Sequence, residues 1–156
     1  MNEDFLDVLT ALSSQNARFL VVGAHAMAVH GVPRATGDLD VWIDRDPANV
    51  ERVWKALQDF GAPLSALGIR RSDLESPDRV CQIGLPPRRI DLLTQISGVE
   101  FDRAWESRVG HVVEGLEVPF IGREMLIQNK KAAGRLKDLA DVEILEGKRE
   151  EPPEER

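Results

Sequence analysis

Residues 18–44 read Arg-Phe-Leu-Val-Val-Gly-Ala-His-Ala-Met-Ala-Val-His-Gly-Val-Pro-Arg-Ala-Thr-Gly-Asp-Leu-Asp-Val-Trp-Ile-Asp, and the fold is decided in this stretch. Phe19 to Val22 is a short apolar run closed by Gly23, the pattern of a buried strand ending in a tight turn. Ala24 to His30, rich in Ala and Met and stopped by Gly31, predicts a short helix. Beyond the Val32-Pro33 break the sequence predicts a second strand, which carries Asp38 and Asp40. Residues i and i+2 of a strand share a face, roughly 6.5–7 Å apart. Leu39, Val41 and Ile43 are therefore expected to face the core, and the two carboxylates to face away together. Side by side they repel. A hard divalent cation such as Mg²⁺ compensates such a pair, because it takes oxygen ligands from carboxylates and from phosphate. The Gly23 turn adds a helix N-terminus whose free N–H groups suit a phosphate. The expectation is a metal site beside a phosphate site, although Asp-x-Asp alone is also what any half-solvated strand shows.

The order of these parts is more telling than any one of them. Strand, glycine turn, short helix, proline loop and Asp-x-Asp strand together resemble the nucleotidyltransferase superfamily with the DNA-polymerase-β-like fold. His30-Gly31, Arg34, Thr36 and Asp38-Leu39-Asp40-Val41 resemble more closely its small bacterial members, related to abortive-infection toxins and antibiotic nucleotidyltransferases. One position departs from the pattern. The family's turn is Gly-Gly or Gly-Ser, and here the second residue is Ala24, which keeps the backbone N–H but has no hydroxyl.

Two further segments extend the resemblance. In Arg89-Ile90-Asp91-Leu92-Leu93, Ile90 and Leu92 alternate against Asp91; the resembling family carries its third carboxylate here, on a strand beside the Asp-x-Asp strand. Standing alone, the segment would read as an edge strand with a solvent-facing Asp. Asn129 to Asp141 resembles the family's Lys…Gly-Arg-x-Lys-Asp-Leu-x-Asp segment, within a helix predicted over residues 123–145. Its inner face is expected to carry Leu126, Ala133, Leu136, Ala140 and Ile144. Lys130 and Lys137 are seven apart, hence on one side of such a helix, with Arg135 between them. Cations so spaced can hold the β- and γ-phosphates of a nucleotide. Gly134 would cost about 1 kcal/mol against Ala in a helix interior, which suggests close approach of a ligand or another backbone. Asp138 and Asp141 are expected to orient Lys or Arg rather than to bind metal.

The resemblance implies an α/β chain of minimal nucleotidyltransferase fold, a small mixed sheet with packed helices and a long C-terminal helix. It implies Mg²⁺-dependent transfer of a nucleoside monophosphate from a nucleoside triphosphate to an acceptor. Two Mg²⁺ ions would be held by Asp38, Asp40 and Asp91, which are also the catalytic residues. Gly23, Ala24, Arg34, Thr36, Lys130, Arg135 and Lys137 would bind the nucleotide. The acceptor stays open among tRNA or other RNA, a partner protein and a small molecule such as an antibiotic; a toxin–antitoxin or phage-defence setting is implied, but no DNA sequence recognition. The alternative is a non-catalytic interaction protein of toxin–antitoxin type that keeps the fold without turnover, which the Ala24 departure favours.

The rest of the chain bounds these readings. Its 156 residues, 42% hydrophobic and 30% charged, have ordinary globular composition and suffice for one domain. We expect that domain over residues 1–146, with residues 147–156, acidic and containing Pro152-Pro153, as a disordered tail. Glu3, Asp4 and Asp7 have the wrong sign for a secretory leader, and no apolar run approaches the ~20 residues of a membrane span; a cytoplasmic protein with no membrane partner is expected. The net charge of −7 argues against broad nucleic-acid binding, although residues 123–138 are locally basic. The single cysteine, Cys81, excludes an intramolecular disulfide and reads as a buried inert thiol.

Helices are predicted over residues 3–15, from the spacing of Phe5, Leu6, Leu9 and Leu12, and from Asp46-Pro47 to Phe60, with Gly61 as stop. Strands are predicted at 80–85, 88–93, 108–113 and 116–121, the last pair turning at Glu114-Gly115. Residues 62–78 read either as a loop over the site or as a short helix. His25 is a candidate substrate contact, His30 structural and His111 a surface residue.

Overall fold

The computed structural model describes residues 1–35 and 37–148; Thr36 and residues 149–156 of the expected tail lie outside the described residues. The chain runs α1 (Glu3–Ser14), β1 (Phe19–Val22), α2 (Gly23–Val29), β2 (Asp38–Ile43), α3 (Pro47–Phe60), α4 (Arg71–Glu75), β3 (Val80–Ile83) and β4 (Arg89–Leu93). It continues with α5 (Phe101–Glu106), β5 (Val109–Val113), β6 (Leu116–Phe120), α6 (Arg123–Ala133) and α7 (Leu136–Leu145).

The two best-capped helices form where their ends dictate. The Asn2 side chain accepts the Phe5 N–H at 3.0 Å to open α1, and Phe5, Val8, Leu9 and Leu12 go inward. Asp46 accepts the Ala48 N–H to open α3, Pro47 takes the first turn where no N–H is missed, and Gly61 closes it at φ +87°. Both helices feed one apolar core with the strands, centred on Phe19, Leu20, Leu39, Trp42, Leu57 and Phe120. Among the described residues, no helix is long and apolar enough to cross a membrane.

The strands make one mixed six-stranded sheet in the order β3-β4-β2-β1-β6-β5. β1 pairs antiparallel with β2, and β2 pairs parallel with β4, in a register that sets Asp38 against Arg89 and Asp40 against Asp91. β4 is thus an interior strand, flanked by β3 and β2, and not an edge. The β5–β6 hairpin turns at Glu114 and Gly115, both at positive φ as a tight two-residue turn demands.

Of the two readings of residues 62–78, the short helix is the one found: α4 packs on α3 with Arg71 paired to Glu51, Leu64, Ile69 and Leu74 are buried, and Asp78 alone of the segment lines the cleft described below. One expectation is corrected. The long C-terminal helix is two helices, α6 and α7, with an elbow at Gly134. Gly134 stands at φ +68°, the left-handed conformation that ends a helix, and a Cβ there would meet nothing closer than the Lys131 carbonyl oxygen at 3.7 Å. It is needed for its backbone angle and not for close approach. The elbow also turns the predicted inner face. Leu136 is 88% exposed and Ala133 is exposed, while Asp138, Asp141, Val142 and Leu145 point inward.

Candidate functional site

The site begins with a backbone constraint. Gly23, at φ +69°, ends β1 directly against Asp40: a Cβ on residue 23 would collide with the Asp40 carboxylate, its Cγ lying only 3.1 Å away. No other residue type leaves room for that side chain to stand over the turn. β1–β2 pairing puts Val22 opposite Asp40, which fixes the carboxylate at the start of α2.

β4 then brings the third acid. The parallel register places Asp91 beside Asp40, and Asp91 is only 8% exposed. Between Asp38 and Asp91 the structure adds a residue that the sequence reading did not single out. Arg89 donates through Nη2 to Asp38 Oδ2 at 2.7 Å and to Asp91 Oδ2 at 3.2 Å, with Nε 3.0 Å from Asp91 Oδ1. Its signal was present: Arg89 and Asp91 sit at i and i+2 on one strand face, so whatever neighbours Asp91 also neighbours Arg89. Asp40 is the member of the trio without that guanidinium contact. Burial first, then the charges of Asp91 and Asp38, push its carboxyl up to about 6, and a carboxyl–carboxyl hydrogen bond with Asp91 adds to this against the opposing pull of Arg89.

The opposite wall comes from the α6–α7 elbow. Lys130, 9% exposed, reaches Asp141 Oδ2 at 2.8 Å and Asp138 Oδ1 at 3.8 Å. Asp141 also accepts from Arg34 Nη2 at 2.6 Å, which ties the loop before β2 to α7. Asp138 receives Arg135 Nε at 2.7 Å and the Arg135 backbone N–H at 3.3 Å, closing the first turn of α7. The Arg135 hydrogen bonds outweigh burial and hold the Asp138 carboxyl below the ordinary carboxylate value. Burial raises Asp141, but hydrogen bonds from Lys130 and Arg34 overcome it and leave the group lowered. The aspartates orient cations, as the sequence suggested, and this is why they rather than Leu136 face inward. Lys130 and Lys137 sit on different helices, so the shared helix side predicted for them does not exist. Lys130 is committed to two carboxylates; Lys137 is exposed, with no ion pair among the described residues.

A cleft of about 610 Å³ lies between the two walls. Of the residues expected at the site, Gly23, Ala24, Arg34, Asp38, Asp40, Lys130, Arg135 and Lys137 line it. Asp91 sits behind Asp40, below the lining, and Thr36 is outside the described residues. His25 does not line the cleft; its ring packs edge-on to Phe5, and burial pulls its pKa down. His30 Nε2 meets the Ile121 carbonyl at 2.8 Å, a structural contact.

The donor chemistry at the cleft floor suits a hard divalent cation. Three carboxylates meet, and the raised Asp40 marks negative charge that Arg89 does not cancel. Asp38, Asp40 and Asp91 are the residues that could hold Mg²⁺. Among the described residues, however, no set of three or more His, Cys, Asp or Glu is already disposed as a metal cage. The guanidinium of Arg89 stands between two of the three acids.

Comparison with known proteins gives a structural match. The chain is similar to the crystal structure of a putative nucleotidyltransferase from Thermotoga maritima, with a TM-score of 0.55 and 16% sequence identity over 96% of each chain. At that identity the likeness establishes the fold, which is of nucleotidyltransferase type. No family model matches the sequence. No curated protein matches it either.

Proposed function

We propose that the chain is a nucleotidyltransferase that moves a nucleoside monophosphate from a nucleoside triphosphate to an acceptor nucleophile. The strand register carries this reading: it sets Asp38 and Asp40 in the lining of a cleft with Asp91 beside Asp40 beneath it, and Arg135 and Lys137 reach the same cleft from the opposite wall. Asp38 and Asp40 would hold Mg²⁺ with Asp91 behind them, a bound cation supplying charge neutralisation at the α-phosphate and activation of the acceptor. Arg135 and Lys137 are the cations that reach the cleft from an exposed position, and we assign them to the β- and γ-phosphates. Lys130 acts through the elbow, holding Asp138 and Asp141 and thereby the helix that presents Lys137. The chain's own part is positioning: the triphosphate is laid along the cleft so that the acceptor attacks the α-phosphate in line with departing pyrophosphate.

The acceptor is an RNA such as tRNA, a partner protein or a small molecule such as an antibiotic. Incubation with each α-labelled triphosphate, Mg²⁺ and, separately, total RNA, a cell lysate and an aminoglycoside panel tests the reading. Label transfer to one acceptor class, lost in Asp40→Asn, is expected. Two observations favour a second reading, a non-catalytic interaction protein of toxin–antitoxin type: Ala24 in the turn, and Arg89 among the acids. Mg²⁺-dependent triphosphate binding with no labelled product from any acceptor would select it.

A further inference from the structure

Arg89 is held where it stands by two independent features. The parallel register of β2 and β4 sets it directly opposite Asp38, and the two-residue period of β4 puts it on the same face as Asp91. Its guanidinium spans both acids: Nη2 donates a hydrogen bond to each, at 2.7 and 3.2 Å, and Nε lies 3.0 Å from Asp91 Oδ1 as an ion pair. Charge-assisted contacts of this kind are among the stronger polar interactions in proteins. A guanidinium stays protonated throughout the working pH range, so this cation is permanent. The oxygens it engages, on Asp38 and Asp91, are ones that a metal bridging these residues would need. Asp40 alone among the three has no direct contact with it.

We propose that Arg89 is a built-in competitor for the divalent cation: its guanidinium fills the gap between Asp38 and Asp91, and a metal ion bridging those two acids binds only when Arg89 swings out. This rests on the metal assignment made above and deepens it. It makes the acids unequal toward a cation: Arg89 fills the gap between Asp38 and Asp91, whereas Asp40 has no contact with the guanidinium. It also accounts for three acids that converge in register without forming a ready cage.

Mn²⁺ titration followed by electron paramagnetic resonance, on the full chain, separates the possibilities. Arg89→Gln should bind Mn²⁺ on the order of tenfold more tightly than wild type, since each charged hydrogen bond it no longer offers is a competitor removed. Arg88→Gln removes an equal charge one residue away, from an exposed pair with Asp4, and should change affinity by no more than about twofold. Wild type that binds Mn²⁺ while Arg89→Gln binds no better overturns the competition and leaves the metal assignment standing. Absence of binding by both at millimolar Mn²⁺ overturns both.

A second measurement needs no variant and so does not depend on Arg89→Gln folding. The Arg89 Nε–H resonance of wild type should be observable in EDTA, and should shift and lose its exchange protection as Mg²⁺ is added. A resonance that is unchanged at saturating Mg²⁺ overturns the proposal.

Discussion

Asp40 is the residue on which the cleft floor turns, and its carboxyl gives a signed prediction. Its ordinary value is 3.8 and the folded chain holds it at about 6. Between those values the folded state binds the proton more strongly than the unfolded state. Stability of the metal-free chain should therefore fall as pH rises from about 4 through about 6, with the full loss present above. Urea unfolding in EDTA should find Asp40→Asn more stable than wild type by about 2 kcal/mol at pH 8, and the two alike below pH 4. A destabilised Asp40→Asn at pH 8 would make the carboxylate structural. Asp40 and Asp38 were legible in the sequence because strand alternation exposes them. Arg89 carried a signal, its i and i+2 spacing from Asp91 on one strand face, but its pairing with Asp38 depends on the register of β2 against β4, which no stretch of sequence displays.

At the scale of elements, α1 was legible from its apolar spacing alone, and α3 because its cap, apolar spacing and glycine stop agree. The elbow between α6 and α7 was hidden. Lys, Arg and Asp on either side of Gly134 satisfy helical spacing equally well whether or not the helix breaks there. What breaks it is the buried set of Lys130, Asp138 and Asp141, whose mutual pairing turns polar residues inward. Gly134→Ala distinguishes the two descriptions by sign. In a continuous helix it would stabilise the chain by about 1 kcal/mol; at the left-handed position seen here it should destabilise by about 1–2 kcal/mol, as chemical denaturation would read.

Asp141→Asn should cost about 3 kcal/mol, because it strips Lys130 and Arg34 of their shared partner. Adding Lys130→Met should recover part of that loss, since the uncompensated cation is then gone as well. No recovery in the double variant would mean that Lys130 is not the buried charge left stranded.

Taken whole, the molecule is a mixed sheet that presents acids from two parallel strands to a cleft closed on its far side by a two-helix elbow. No single stretch of sequence revealed the cleft, because β1–β2 pairing joins residues near 23 and 40, β2–β4 pairing adds 91, and 137 arrives on α7 from outside the sheet. If the elbow presents Lys137 to the terminal phosphates, Lys137→Ala should weaken triphosphate binding tenfold or so while leaving monophosphate binding nearly unchanged. Equal effects on the two ligands would return Lys137 to the solvated surface.

If the acids of β2 and β4 act through a divalent cation to hold a triphosphate in this cleft, calorimetric titration of a non-hydrolysable triphosphate analogue into wild type and Asp40→Asn, each in Mg²⁺ and in EDTA, should show it. Tight binding is expected in wild type with Mg²⁺ only, weakened on the order of a hundredfold by EDTA or by Asp40→Asn, the loss of about two charge-assisted contacts. Binding of equal strength in all four titrations, or none in any, would contradict it.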